Sequence, residues 1–183
     1  MRAFVAVDLG SEEVRSAIRE VQRVLERSGA DLKSVEPENL HFTLQFLGEI
    51  SEREADMVTE ALKGLVASPF KVSFKSVGYF LSSQRISVIW VGVDEGKEEF
   101  VSLAEQVFER LRPLNFRPDK KFVPHLTICR VKTGTNKDNL LAAADKYRDT
   151  EFGTDTVSSI KLKVSQLTPR GPIYSDRSSK TLT

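Results

Sequence analysis

Two hydrophobic periods take turns along this chain. Phe4-Val5-Ala6-Val7-Asp8-Leu9 is a nearly unbroken apolar run, the pattern of a buried strand. Val14, Ile18, Val21 and Leu25 then recur at helical spacing and predict an amphipathic helix over 11–28. Ser11 is placed to cap it, Glu12 and Glu13 suit the positive end of its dipole, and Gly29 stops it. After Pro37 the run Leu40 to Leu47 predicts a second strand. Ser51-Glu52-Arg53-Glu54 is a capping box, and Ala55, Val58, Leu62 and Leu65 form the stripe of a second helix. Phe70 to Val77 alternates apolar and polar, as a half-buried strand does.

The same succession then recurs. Val88 to Val93 reads as a strand, and Phe100, Ala104, Val107, Phe108 and Leu111 as a helical stripe. His125 to Val131 reads as a strand, 136–147 as a helix, and Val157 to Leu167 holds an alternating strand. The halves align without a gap at an offset of 84 residues: Phe4 falls on Val88, 11–28 on 95–112, and His41 on His125. This is the pattern of a duplicated β-α-β-α-β unit, about 1–84 and 85–167, with the crossing at Gly78 to Gln84. A short C-terminal strand at 171–176 follows, with a frayed end. The predicted fold class is α+β, one bilobal domain over 1–183. Each lobe is an antiparallel sheet with helices on its outer face, and approximate two-fold symmetry relates the lobes around a central groove.

The repeat draws attention to the rarest chemistry in the chain. Only two histidines occur in 183 residues, and both sit in one motif: His41-Phe42-Thr43-Leu44 and His125-Leu126-Thr127-Ile128. Side chains alternate across a strand, so each strand shows a His and a Thr on one face, roughly 7 Å apart. Phe42, Leu44 and Phe46 are then expected to face the core, with Leu126 and Ile128 doing so in the second copy. If both His/Thr pairs line one groove, it holds two imidazoles and two hydroxyls around a central space. A free histidine titrates near about pH 6.5, so one can act as base while the other acts as acid. The threonine hydroxyls can donate to phosphoryl oxygens as charge builds on them. That is phosphoester chemistry without a metal. The single Cys129 excludes an intramolecular disulfide and a cysteine-rich zinc site, and neither a metal nor a cofactor is expected.

This constellation resembles the 2H phosphoesterase superfamily, and within it the RNA 2′,3′-cyclic phosphodiesterases, also called 2′-5′ RNA ligases. The resemblance rests on the opening Met1 to Asp8, on Pro37 to Glu49, on Pro124 to Arg130 and on Gly171-Pro172-Ile173-Tyr174, and it spans nearly the whole chain. It implies hydrolysis of an RNA 2′,3′-cyclic phosphate end to a 2′-phosphate. His41 is implied as proton donor and His125 as proton acceptor, with Thr43 and Thr127 holding the phosphoryl oxygens or the water. The motif's own symmetry does not decide which histidine does which. The alternatives are joining of cyclic-phosphate and 5′-hydroxyl ends through a 2′-5′ bond, or non-catalytic binding of an RNA end.

Other residues have lesser claims. Arg130 suits a phosphate, but ideal alternation puts it on the face opposite His125 unless the strand bulges. Tyr174, Phe116 and Phe46 are candidates to stack on a base, Phe46 being better read as core. Arg117, Lys120 and Lys121 form a local basic run. Cys129 is expected on the face of His125, as a small buried residue. The formal charge of +1, from 27 basic and 26 acidic residues, argues against wholesale coating of nucleic acid and for recognition of an RNA end in a groove. The expected partner is RNA with a cyclic phosphate end, tRNA halves among the possibilities, bound by a monomer. No segment approaches the roughly 18 to 20 apolar residues of a membrane span, and Met1 to Gly10 lacks the pattern of a signal peptide. With one cysteine, a cytoplasmic location is expected.

Overall fold

The computed structural model describes residues 1–183. Nine strands and four helices follow one another as β1 (Arg2–Asp8), α1 (Glu12–Arg27), β2 (Leu32–Ser34), β3 (His41–Glu49), α2 (Glu52–Lys63), β4 (Phe70–Ser82), β5 (Arg85–Val93), α3 (Lys97–Leu111), β6 (His125–Val131), α4 (Lys137–Asp145), β7 (Glu151–Val157), β8 (Ser159–Thr168) and β9 (Gly171–Thr181). They form two antiparallel sheets, ordered β3-β1-β8-β9 and β2-β6-β5-β4-β7. The architecture is the expected α+β pair of sheets with outer helices.

Local signals set most of the elements. Ser11 accepts from the Val14 amide at the start of α1, and Ser51 and Glu54 close both halves of the capping box at the start of α2. The stripes Val14, Ile18, Val21, Leu25 and Phe100, Leu103, Ala104, Val107, Leu111 are buried. Four segments differ from the sequence reading. β4 runs on through the expected crossing to Ser82 and turns into β5 through Ser83 and Gln84, both at positive φ. That is the two-residue hairpin geometry whose twist matches the strands, built here without the usual Asn or Gly. The 157–167 strand is two strands, with β7 beginning at Glu151 and β8 at Ser159. β2 is an added edge strand. The C-terminal strand continues to Thr181 instead of fraying, because Leu182 is buried and its amide donates to the Ser158 carbonyl.

The sheets do not coincide with the sequence halves. β1 is flanked by β3 from its own half and by β8 from the other, while β5 is flanked by β6 and by β4. Each half therefore gives its third long strand to the opposite sheet. The helices cross as well: α1 packs on β7, β2 and β6 beside α4, whereas α3 packs on β3 and α2 on β9. A single buried cluster joins everything, with Phe42 of β3 between Phe74 of β4 and Phe100 of α3 at ring separations of 5.8 and 4.6 Å.

Candidate active site

β3 and β6 touch where the two sheets meet, and each carries one His-x-Thr motif at its start. Both strands then break alternation at the same place. Against β1, Thr43 pairs with Ala6 and Gln45 with Val5, so Leu44 is an extra residue. Against β5, Thr127 pairs with Trp90 and Cys129 with Ile89, so Ile128 is extra. Leu44 and Ile128 are 84 positions apart, and each bulge shifts the residues after it to the opposite face. Two expectations are thereby corrected. Phe46 is no core residue: it stands 67% exposed on the cleft wall. Cys129 turns away from the His125 face into the interior, where burial pushes its thiol up to about 12. Arg130 gains the bulge it needed and lines the cleft.

The two imidazoles are held alike. His41 Nδ1 lies 2.6 Å from the Asn39 carbonyl and His125 Nδ1 lies 2.8 Å from the Val123 carbonyl. A carbonyl only accepts, so both rings carry their proton on Nδ1 when neutral and leave Nε2 with a lone pair. Thr43 Oγ1 lies 3.0 Å from His41 Nε2 and donates to it in that tautomer. Aromatic rings fix the orientation. Tyr174 meets His41 edge-on at 5.4 Å, with Phe4 packed at 5.1 Å, and Phe80 meets His125 edge-on at 4.9 Å. Phe80 rests in turn on Trp90, whose indole lies so close over Gly78 that a Cβ there would sit 2.3 Å from it. All four motif residues, His41, Thr43, His125 and Thr127, line one cleft of about 530 Å³, a size suited to a nucleotide-scale ligand.

Comparison with known proteins decides the family. The LigT like Phosphoesterase model matches residues 7–90 and again 91–174, two adjoining copies that together cover most of the chain. The chain belongs to the LigT-like phosphoesterase family. It is 41% identical to the RNA 2′,3′-cyclic phosphodiesterase of Methanothermobacter thermautotrophicus, over 96% of each chain. It is 42% identical to the protein of that name from Archaeoglobus fulgidus, over 96% of this chain and 97% of the relative. Its fold superposes on the crystal structure of TT0787 of Thermus thermophilus with a TM-score of 0.81 at 31% identity, covering 100% of this chain and 98% of that one.

Within this phosphoesterase the two histidines differ in their charged surroundings. Burial lowers the pKa of both, and each carbonyl partner raises it in part. Around His41 the charges are mixed: Lys163 and Arg130 lower its pKa, and Asp8, paired with His41 in the β1–β3 register, raises it. Around His125 only cations act, Lys120 and Arg130. Asp8 belongs to a knot of four charges on the His41 side. Lys161 lies 2.9 Å from Asp8 and 2.7 Å from Asp176, and Lys163 lies 3.0 and 2.7 Å from the same pair. Burial works against the Asp176 carboxylate, but its bonds to the two lysines hold its pKa below the ordinary value, and the same bonds raise that of Lys161.

The lesser candidates divide. Tyr174, Lys120 and Lys121 line the cleft, whereas Phe116 packs against the core and Arg117 is not part of the cleft wall. Sequence reasoning missed Phe80, Asp8, Lys161, Lys163 and Asp176. The signal that could have found them was register: β1 pairs with β3 and β8, which sets Asp8 opposite His41 and Lys163 opposite Phe4. No helix is long and apolar enough to cross a membrane.

Proposed function

We propose that this chain is an RNA 2′,3′-cyclic phosphodiesterase in which His41 and His125 are the acid and base. The observation that carries this reading is the pair of imidazoles whose Nδ1 protons are tied to backbone carbonyls, in one cleft, each two residues from a threonine. The names of the archaeal relatives agree with it. His125 Nε2 takes a proton from water as the water oxygen attacks phosphorus. The bond from phosphorus to the 3′-oxygen breaks, and that oxygen leaves with the proton held on His41 Nε2. The product is a 2′-phosphate with a free 3′-hydroxyl, and solvent exchange resets both rings. Thr43 and Thr127 hold the phosphoryl oxygens or the water, and Arg130 faces the charge that grows on phosphorus. Tyr174 and Phe46 supply aromatic surface for the terminal base.

The direction of proton flow is taken from the family resemblance. Burial and nearby cations lower both rings, Lys163 acting on His41 more strongly than Asp8 opposes it. The same reading takes the chain as one bilobal domain grown from a duplicated unit, active as a monomer because the cleft is complete within one chain. A tRNA half carries the required end, and a lone buried thiol suits the cytoplasm. The test is turnover of a cyclic-phosphate-ended oligonucleotide in the presence of a chelator, by the wild type and by His41→Ala and His125→Ala. Turnover by the wild type alone is expected. Full activity in either variant would overturn the roles.

A further inference from the structure

One end of the cleft carries more positive charge than a single phosphate uses. β2 has no counterpart in the other sheet, since residues 116–118, 84 positions on, form no strand. It adds to the edge of β6 and sets Lys33 opposite Arg130 in register, with Lys132 just beyond the strand end. Arg170, at the turn between β8 and β9, joins them from the other sheet, its carbonyl accepting from Lys33 Nζ at 2.7 Å. None of Lys33, Arg130, Lys132 or Arg170 has a carboxylate within 4.0 Å, although Glu36 lies on the same wall. Like charges facing each other on neighbouring strands destabilise a sheet. Six cations against two carboxylates line the cleft of a chain whose net charge is +1, so the rest of the surface is net negative.

The position of the excess matters. β6 begins at His125 and Lys132 follows its end, a span on the order of 20 Å along the strand. A cyclic mononucleotide held at the histidines does not reach that far. A 2′,3′-cyclic phosphate closes the 3′ end of an RNA, so the only further phosphates lie on its 5′ side. We propose that Lys33, Lys132 and Arg170 form a track for the phosphates 5′ of the cyclic end, making single-stranded RNA, and not a cyclic mononucleotide, the preferred substrate. The proposal rests on the phosphodiesterase reading for its substrate end. Phosphate contacts carry position and not sequence, so the preference extends to any base order.

Lys132 and Arg170 are the residues to change, because their side chains make no hydrogen bond or ion pair in the folded chain and Lys33 does. With the Lys132→Glu/Arg170→Glu variant, kcat/KM for a cyclic-ended ten-nucleotide RNA is expected to fall at least about 10-fold. Its salt dependence should flatten by about 0.7 in log–log slope for each phosphate that the track no longer neutralises. The value for a 2′,3′-cyclic mononucleotide should stay within about 2-fold. Equal falls on both substrates, or no fall on either, overturn the track. A parallel arm measures anisotropy of a labelled ten-nucleotide RNA ending in a 2′-phosphate. Weaker binding by the variant upholds the track even if no substrate is turned over, a result that would sink the phosphodiesterase reading alone. Unchanged binding overturns the track whatever the turnover.

Discussion

β3 and β6 carry the same motif, and they differ where it counts. Both start with His-x-Thr and both bulge one residue after the threonine, at Leu44 and Ile128. Beyond the bulge one turns a phenyl ring into the cleft, Phe46, and the other a guanidinium, Arg130. The same backbone device thus delivers aromatic surface on one side and charge on the other. The buried residues between differ too. Behind β6, Gln22 of α1 donates to the carbonyls of the bulged Ile128 and of Val35, both at 2.9 Å. On β3, Gln45 is buried with neither side-chain oxygen nor nitrogen partnered. Two-fold repetition supplies the scaffold, and single-residue departures from it divide the labour.

The comparison can be broken at four levels. The largest expected effect is loss of either imidazole: His41→Ala and His125→Ala should each lower kcat by roughly 10²- to 10⁴-fold. Steady-state turnover of a cyclic-ended oligonucleotide measures it, and full activity in either variant would show that the two strands are not partners in one step. Next come the two residues after the bulges. Arg130→Ala should lower kcat by about 10²-fold through lost charge stabilisation, whereas Phe46→Ala should raise KM by about 10-fold with kcat nearly kept, as loss of a stacking surface does. If both variants lose kcat alike, the proposed division between charge and base contact is wrong.

A smaller effect concerns pH. Burial depresses both histidines below the usual value near about 6.5, so the state with one ring protonated and one neutral is most populated on the acid side of that pH. On the proposed roles, as pH rises past both values His41 loses the proton it gives. As pH falls below both, His125 gains one and cannot take the water's proton. The kcat/KM profile should be a bell with its top below about pH 6.5, and a plateau reaching well above neutrality would contradict the environments described. The smallest effect separates the buried glutamines by sign. Gln22→Met should cost about 1–3 kcal/mol in urea unfolding, because it takes a donor from the carbonyls of Ile128 and Val35. Gln45→Met should be neutral or stabilising by about 1 kcal/mol, because it removes polar atoms that have no partner.

What the chain's pattern made legible follows from the range of the forces involved. The His/Thr faces were readable because a strand's two-residue period is local, and α1 and α2 because caps and stripes lie within a few residues of each other. The bulges were not, since Leu44 and Ile128 are ordinary apolar residues and an extra strand residue leaves no mark in composition. That one miss put Phe46 in the core and Cys129 beside His125. The exchange of β4 and β8 between sheets was equally hidden, because strand partners are chosen by contacts distant in sequence. The charges around His41 went with it, as Lys163 reaches that site only through β8. The tight turn at Ser83-Gln84 escaped because neither residue type signals a positive φ.

Phosphorus NMR of a 2′,3′-cyclic-phosphate-ended oligonucleotide incubated with the enzyme tests most directly whether the two matched strands act as one acid–base pair on a cyclic phosphate. The expected result is conversion of the cyclic resonance to that of a 2′-monophosphate alone, at the 3′-terminal residue, and no conversion with His41→Ala or His125→Ala. A persistent cyclic resonance with the wild type, or a 3′-monophosphate product, would contradict it.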